Sequence, residues 1–326
     1  MSRRVLVTGA TGGLGRALVG QLLANGYHVR ATGRDAAIGE QLKTEFIAAD
    51  LTLDPLAPLV AGMDLVFHLA ALSSPWGSRA DFRTINVSAT GRLLDAARIA
   101  GCGGLIYAST PSIYAQPRAR IGLTEDSPVG PRFANDYAAT KYAAERLVLA
   151  ADAPGFRTVA IRPRAVVGPN DSVLLPRILR AAKRGRFPLP GGGRALIEPT
   201  DVRDAAAAFI AADRHLAEAG GQAINISGGD PRSVRELLGL LFDRIGRTPR
   251  FVAVPTGLAM AAASAMEGIA TMLPGRPEPP VTRYSVMTFG FSQTMRLDRA
   301  RDLLDWTPRY RVEAMIAHAL PEPLYA

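Results

Sequence analysis

The sequence predicts an α/β fold with a doubly wound parallel sheet and a smaller, interleaved C-terminal lobe. Two observations carry this prediction. Strand patterns alternate with helix patterns through the first half of the chain, and a glycine-rich turn joins the first strand to the first helix. A ligand of such a sheet lies at the carboxyl ends of the strands, where the strand order reverses. Candidate functional residues are therefore those that follow strands.

The predicted strands are short apolar or β-branched runs, and the predicted helices have apolar residues at helical spacing. The expected strands cover residues 5–8, 27–32, 45–48, 64–69, 105–109 and 158–162. The expected helices cover residues 14–24, 84–100 and 136–151, followed in the less regular second half by 174–184, 202–212 and 233–245. Ser233 and Glu236 have the spacing of a capping box at the start of the last helix.

Composition excludes several classes of protein. At 326 residues, 48% hydrophobic and 21% charged, the chain is predicted to be globular with a sizeable core. A single cysteine, Cys102, rules out an internal disulfide and fits a reducing, cytoplasmic setting. The net charge of +9 comes from arginines spread along the chain, so no nucleic-acid partner is expected. A positive field still favours an anionic cofactor or substrate.

No targeting or membrane-spanning segment is expected. The apolar run before the glycine turn is far too short for a signal peptide. Residues 257–273 are apolar, but they are mostly alanine and methionine and are interrupted by Glu267. A bilayer span needs about twenty strongly apolar residues. We expect a helix that lies over a pocket, with peripheral membrane contact as the alternative.

The turn after the first strand predicts a dinucleotide site of the Rossmann type. Gly9 permits a tight turn, Gly12 lets the backbone approach phosphate, and Gly15 lets the helix pack on the strand. The spacing is G-x-x-G-x-x-G, so it differs from the G-x-G-x-x-G of many dehydrogenases. The expected cofactor-binding residues here are Gly9, Thr11, Gly12, Gly13, Leu14 and Gly15. Residues 1–165 are expected to form mainly this domain, and residues 166–326 mainly a substrate-binding lobe.

The end of the second strand bears on cofactor choice. Enzymes that prefer NAD place an acidic residue there, whereas this strand ends in Gly33 and Arg34. A guanidinium can bind a 2′-phosphate, so NADP(H) is expected. Asp35 follows directly, so NAD(H) stays open as the alternative cofactor. Later strand ends are expected to complete the cofactor site through Asp50, Leu51, Leu69, Ala70 and Ala71.

Tyr137 and Lys141 lie one turn apart in a predicted helix, on the same face. A phenol with a pKa near 10 is a poor proton carrier at neutral pH. A neighbouring ammonium stabilises the phenolate, so we expect Lys141 to lower the pKa of Tyr137. The preceding strand ends in two hydroxyl side chains, Ser109 and Thr110. Together with the glycine turn, these residues predict hydride transfer between a nicotinamide and a carbonyl or alcohol.

The chain resembles the extended short-chain dehydrogenase/reductase family in residues 9–15, 50–51, 68–71, 86, 107–114, 137–141 and 162–169. This resemblance implies that Tyr137 is the acid/base, that Lys141 tunes it and holds the nicotinamide ribose, and that Thr110 orients the substrate oxygen, with Ser109 as the alternative. It also implies cofactor contacts from Tyr137, Lys141 and Pro163. Asn86 is expected beside the active site, where its amide ties the backbone or positions the Tyr137–Lys141 pair.

Within that family, the sequence looks like the 3β-hydroxysteroid dehydrogenase branch and is especially similar to bacterial 2-alkyl-3-oxoalkanoate reductases in residues 71–78, 137–145 and 280–284. The acidic pair of dehydratases is replaced by Pro111 and Ser112, and the Arg-Tyr-Phe-Asn motif of epimerases is absent at residues 162–165. The resemblance therefore implies a hydrophobic 3-oxo acyl or 3-hydroxysteroid-like substrate. The expected substrate contacts are Ser73, Trp76, Leu174 and Tyr284, with Leu175 and the helix at 257–273 completing the apolar pocket.

Two alternatives stay open. One is a nucleotide-sugar epimerase or dehydratase of the same family, and the other is a non-catalytic protein that senses NADP(H). The joint presence of Thr110, Tyr137 and Lys141 favours an enzyme, since a sensor needs no proton carrier. A homodimer is expected, and no metal is expected.

Overall fold

A seven-stranded, all-parallel sheet forms the centre of the computed structural model, which describes residues 2–171, 174–182 and 185–320. The sheet order is β12-β7-β5-β4-β1-β2-β3. The strands are β1 Arg4–Thr8, β2 His28–Gly33, β3 Glu45–Ala48, β4 Leu65–His68, β5 Gly104–Ala108, β6 Arg120–Leu123, β7 Arg157–Pro163, β8 Val166–Val167, β9 Arg186–Pro190, β10 Leu196–Ile197, β11 Thr200–Asp201, β12 Ala223–Ile226, β13 Arg232–Ser233, β14 Arg250–Val254 and β15 Gln293–Met295. The predicted doubly wound α/β fold is confirmed.

Helices cover both faces of the sheet. They are α1 Gly13–Ala24, α2 Ala36–Glu40, α3 Ala57–Val60, α4 Arg79–Arg83, α5 Ala89–Ile99, α6 Asp136–Ala150, α7 Leu175–Ala182, α8 Val202–Arg214, α9 Leu216–Ala219, α10 Val234–Arg244, α11 Thr256–Met272, α12 Arg283–Gly290, α13 Asp298–Leu304 and α14 Val312–Ala319. The helix predicted over residues 174–184 corresponds to α7, and residues 183 and 184 lie outside the described ranges.

The helix predicted over residues 84–100 has a different local structure. The α-helix α5 is preceded by a π-helical turn, Thr84–Ser88, which continues from α4. π-helical turns occur often at functional sites because they rotate side chains out of the regular helical register. This turn carries Asn86, whose side chain is buried.

The strand order reverses beside β1, which pairs with β2 on one side and β4 on the other. The carboxyl ends of these strands therefore border the crevice in which ligands of doubly wound sheets bind. Both faces of the sheet are buried, one around Leu18, Phe67 and Phe209 and the other around Leu93 and Val148. Burial on both faces explains why the strands are almost continuously apolar.

The chain after residue 165 contributes to two parts of the molecule. Strand β12 pairs with β7 at one edge of the main sheet, and α8 joins the core on the same face as α1. Other segments form a separate core, which includes Leu189, Phe242 and Met315. Within the described ranges, none of the helices combines the length and hydropathy that crossing a bilayer requires.

Of the two hydrogen bonds of the capping box predicted at α10, the one accepted by the Ser233 side chain is formed. The Ser233 hydroxyl accepts a hydrogen bond from the backbone N–H of Glu236 at 3.1 Å, as expected. The Glu236 carboxylate accepts a hydrogen bond from Arg232 at 2.5 Å, because the arginine lies four residues before it and competes for the carboxylate.

Candidate active site

The turn between β1 and α1 brings the backbone close to where a ligand would lie. Gly9 has φ of +65°, and a Cβ at this position would be 2.7 Å from the backbone nitrogen of Ala70. A Cβ on Gly15 would be 2.2 Å from the carbonyl oxygen of Gly9. Gly12 is the N-cap of α1 and has extended backbone, and no side chain among the described residues caps the helix. The helix N-terminus is therefore open to an anion, as a pyrophosphate requires.

The end of β2 excludes a carboxylate at the position that NAD-preferring enzymes use. A Cβ on Gly33 would be 2.8 Å from Oγ1 of Thr11, so Thr11 packs where a side chain would begin. Asp35 is also engaged, because its carboxylate accepts a hydrogen bond from Ile38 N at 3.0 Å and caps α2. Arg34 is exposed, and its charge helps to lower the pKa of Asp50, after the larger effect of hydrogen bonds from Thr52. The Arg34 guanidinium is therefore within electrostatic range of the Asp50 carboxylate.

The other predicted strand-end residues divide into two groups. Leu69 and Ala71 line the same cavity as Gly13, Leu14 and Pro163. The side chain of Leu51 lies in the core beside β3, so that side chain has a packing role. The backbone nitrogen of Ala70 donates to Thr8 Oγ1 at 3.2 Å, which holds the segment against β1.

Asn86 connects the loop after β4 to α6. Its Oδ1 accepts from Leu72 N at 2.7 Å, and its Nδ2 donates to Thr140 Oγ1 at 3.1 Å. Thr140 immediately precedes Lys141. The Asn86 amide thus links the loop after β4, which lines the cavity, to the helix that carries Tyr137 and Lys141.

Tyr137 lines the cavity near the start of α6, which is capped by Asn135 through a 2.9 Å bond from Ala138 N. Burial, and after it the charge of Tyr284, raise the pKa of Tyr137 to about 12, although hydrogen bonds with Ser73 and Thr110 oppose the rise. The pKa of Tyr137 therefore lies above its ordinary value and not below it as expected, since desolvation has the largest effect.

Lys141 is buried one turn after Tyr137, at 2% exposure. Its Nζ donates to the carbonyl oxygen of Ala108 at 2.5 Å and lies 4.1 Å from the ring centroid of Tyr107. Burial lowers the pKa of Lys141 to about 7, and the Glu145 carboxylate one turn further along α6 opposes that shift. The lysine is thus held by the strand end, with a proton that is readily lost near neutral pH.

The two hydroxyls after β5 have different partners. Ser109 donates to Glu145 Oε2 at 2.6 Å, and Glu145 also accepts from Arg162 in a buried ion pair with N–O distances of 2.6 and 2.7 Å. Thr110 donates to Ser112 Oγ at 2.9 Å and hydrogen-bonds with Tyr137. Ser109 is therefore committed to the buried network, which leaves Thr110 as the hydroxyl beside the phenol.

A cavity of about 400 Å³ connects these parts. It runs from Gly13 and Leu14 past Tyr137 to α12, and the predicted substrate residues Ser73, Leu174 and Tyr284 lie along it. Sequence reasoning missed Ser112, whose hydroxyl lies 2.6 Å from that of Tyr284, and Arg164, which is buried in the cavity wall. The sequence did offer one signal for Ser112, since it is a hydroxyl residue only two positions after Thr110.

Three parts of the expected apolar wall do not line this cavity among the described residues. The Trp76 indole donates to the carbonyl oxygen of Arg276 at 2.8 Å, and Trp76 is not among the described residues that line the cavity. Leu175 packs in the C-terminal core instead. Helix α11 lies outside α12, so Met287 and Phe289 of α12 form the wall that α11 was expected to form.

Comparison with known proteins defines the class. Residues 5–227 match the NAD dependent epimerase/dehydratase family, which is more than half of the chain. The chain therefore belongs to this family, the extended short-chain dehydrogenases/reductases, and is an NAD(P)-dependent enzyme of it.

Individual relatives extend over nearly the whole chain. The 2-alkyl-3-oxoalkanoate reductase of Stenotrophomonas maltophilia is 36% identical over 318 residues, covering 95% of this chain and 96% of the relative. A 4-hydroxy-2-methyl-3-oxo-4-farnesyl-3,4-dihydroquinoline-1-oxide ketoreductase of Stigmatella aurantiaca is 34% identical, covering 94% and 92%. Among solved structures, MoeE5 in complex with UDP-glucose and NAD has 26% identity and a TM-score of 0.77, covering 98% of this chain and 97% of that chain.

Proposed function

We propose that the protein is an NADP(H)-dependent ketoreductase for hydrophobic 3-oxo substrates. The observation that carries this proposal is the meeting of Tyr137, Thr110 and Lys141 in one cavity with the open N-terminus of α1. Two relatives with ketone-reducing names, both above 30% identity over nearly the full chain, support the same reaction class.

The residues present fit a dinucleotide. Gly9 and Gly15, where a Cβ would collide with neighbouring backbone, keep the turn tight, and Gly12 has no Cβ at the open N-terminus of α1, where a pyrophosphate would approach. When bound, the nicotinamide supplies the two electrons and hydrogen that reduce the carbonyl carbon. Tyr137, with a pKa of about 12, stays protonated at neutral pH and donates its proton to the carbonyl oxygen. Thr110 orients that oxygen, and Lys141 as ammonium stabilises the phenolate that remains.

The choice of NADP(H) rests on the end of β2. Thr11 occupies the space of a side chain at Gly33, Asp35 caps α2, and the exposed Arg34 guanidinium lies near Asp50. A 2′-phosphate placed there would meet a cation and would not face a carboxylate at position 33.

A nucleotide-sugar epimerase is the second candidate, and the likeness to MoeE5 with UDP-glucose favours it. Against it, the Arg-Tyr-Phe-Asn motif of epimerases is absent at residues 162–165. The cavity wall is also apolar at Leu174, Met287 and Phe289. Such a wall suits an alkyl chain better than a sugar.

The deciding experiment is a chain-length series of 2-alkyl-3-oxo acids, with a 3-ketosteroid and a UDP-hexose alongside, followed by NADPH absorbance. We expect turnover of the ketones, with binding that improves by up to about 0.8 kcal/mol per added methylene until the cavity is full. Conversion of the UDP-hexose alone, without reduction of any ketone, would overturn the proposal.

A further inference from the structure

Arg164 is a buried cation in the wall of the cavity that the proposed reaction does not use. It follows β7, is 6% exposed and lines the cavity. One of its terminal nitrogens donates to Gln293 Oε1. Its Nε is buried and has no hydrogen-bond partner in the described part of the chain. Across residues 2–171, 174–182 and 185–320, it also forms no ion pair within 4 Å.

The carboxylate of Glu198 acts on Arg164 from a distance and is hydrogen-bonded to other groups. Its Oε2 accepts from Ser227 Oγ and Met295 N, both at 3.0 Å. Burial lowers the pKa of Arg164 to about 10, which leaves the guanidinium charged at neutral pH. Burying a charged group without a paired partner costs several kcal/mol. A cation kept at that cost inside a substrate cavity is a candidate for binding an anion.

Tyr284 lines the same cavity as this cation and the reacting centre. Its charge acts on the pKa of both Tyr137 and Arg164, so its hydroxyl is within electrostatic range of both side chains. The same hydroxyl is 2.6 Å from Ser112 Oγ, which accepts from Thr110 at 2.9 Å. Hydrogen bonds therefore connect Thr110, Ser112 and Tyr284, in the same cavity as Arg164. A substrate that contacts both Thr110 and Arg164 carries an anionic group as well as a ketone.

We propose that Arg164 binds the carboxylate of a free 3-oxo acid, whose ketone lies at Tyr137 and Thr110. This inference rests on the proposed ketone reduction and deepens it by separating acids from esters, thioesters and steroids. In a 3-oxo acid the carboxylate carbon is two bonds from the ketone carbon, so one compact substrate carries both groups. Arg164 is a single guanidinium, and the negative charge of Glu198 already acts on it. It therefore suits a ligand with one negative charge better than a phosphate monoester with two.

The other arginines along the cavity are less suited to this role. Arg120 donates to the backbone carbonyl oxygens of Tyr114 and Pro128. Arg118 is exposed at the rim and donates to Gln116 at 2.9 Å. Arg177 donates to Glu278 at 3.2 and 3.3 Å. Arg164 alone among these four is both buried to more than nine-tenths and left with an unpartnered nitrogen, within the described residues.

The test compares a 2-alkyl-3-oxo acid with its methyl ester, at equal chain length, in the wild type, Arg164→Met and Arg118→Met. We expect the wild type to prefer the acid by about 100-fold in kcat/KM, and Arg164→Met to lose that preference while reducing the ester within about threefold of the wild type. Arg118→Met should keep the acid preference. Arg164→Met also removes a cation that acts on the buried Glu198 carboxylate, so a thermal melt checks that the variant folds.

Binding provides a readout that does not depend on turnover. Calorimetry in the presence of NADP⁺ measures the affinity of the 3-hydroxy acid, its methyl ester and UDP-glucose for each variant. Equal use of acid and ester by the wild type, or an acid preference that survives in Arg164→Met, overturns the inference while leaving ketone reduction intact. Arg164-dependent binding of UDP-glucose, with none of the acid, overturns it as well. If no ketone is reduced, the proposed function fails, and the calorimetric comparison of acid with ester decides the Arg164 site separately.

Discussion

The cavity has two walls that are built in different ways. The wall toward the dinucleotide crevice comes from the carboxyl edge of one sheet and includes Gly13, Leu14, Ala71 and Tyr137. The opposite wall comes from segments far apart in the chain, among them Leu174 before α7 and the α12 residues Tyr284 to Phe289. The first wall follows from local motifs, whereas the second exists only once the C-terminal segments have packed together.

The two walls also differ in which groups would contact a ligand. On the sheet side, backbone groups and steric limits dominate, as at Gly9 and Gly15. On the C-terminal side, side chains of Leu174, Tyr284 and Phe289 set polarity and shape. Substitutions on the sheet side should therefore affect every substrate, and those on the other side should affect selected substrates.

The largest effect is expected from removing the phenolic proton. Tyr137→Phe should lower ketone reduction by about 10³-fold, because the general acid is lost, while NADPH affinity changes little. Steady-state kinetics and fluorescence titration with NADPH check both parts. Tyr142→Phe on the same helix is the matched control and should keep its rate. Retention of most of the activity by Tyr137→Phe would show that another group donates the proton.

Gly15→Ala tests the steric limit at the glycine turn. The added Cβ would lie 2.2 Å from the Gly9 carbonyl oxygen, so we expect a loss of about 2 kcal/mol in the free energy of unfolding, together with weaker cofactor binding. Gly20→Ala on the same helix adds a Cβ with nothing within 4 Å and should stabilise by about 0.5–1 kcal/mol. Urea unfolding measures both. Similar values for the two variants would contradict the close-packing argument.

Arg34→Ala tests the cofactor end of the sheet wall. We expect about tenfold weaker binding of NADPH and little change for NADH, because only NADPH carries the 2′-phosphate that a guanidinium binds. Titration with each cofactor gives the ratio. An equal loss for both cofactors would show that Arg34 does not contact this phosphate.

The pH dependence should differ between the two reaction directions. Alcohol oxidation needs the Tyr137 phenolate, so with a pKa of about 12 its rate should rise by about tenfold per pH unit from pH 8 to 10. Ketone reduction needs the protonated phenol, which is present throughout that range. It should fall as pH rises through about 7, where Lys141 loses its charge. Lys141→Met should lack this inflection in kcat/KM, and an unchanged profile would assign it to another group.

The smallest effects are expected on the C-terminal wall. Leu174→Ala should raise the KM of long-chain substrates by about fivefold and leave short ones unchanged, because part of the apolar contact is lost. Trp76→Phe should change the KM by less than about twofold, since the indole bonds to Arg276 outside the cavity wall. A larger effect at Trp76 than at Leu174 would show that the loop after β4 closes over the substrate.

Much of the fold could be predicted from the sequence, because its signals are local. The parallel strands are continuous apolar runs, and the bounds found for β1, β3 and α6 differ from the predicted ones by at most one residue. The π-helical turn at Thr84–Ser88 could not be predicted, since its residues also suit an α-helix. The place of α11 was misjudged for a related reason. An apolar helix pattern indicates contact with something, but it does not say which surface the helix contacts.

Some features of the candidate site could be predicted from local sequence, and others depended on tertiary packing. The sequence by itself determined the doubly wound fold, the glycine turn and the pair Tyr137 and Lys141, because each depends on spacing within one or two neighbouring elements. Only the tertiary structure decided that Ser109 is held by Glu145 and that Trp76 points away to Arg276. It also decided that desolvation raises the pKa of Tyr137 and that Arg164 is buried in the cavity wall. Burial and long-range contacts arise from the packing of distant segments, which residue spacing does not encode.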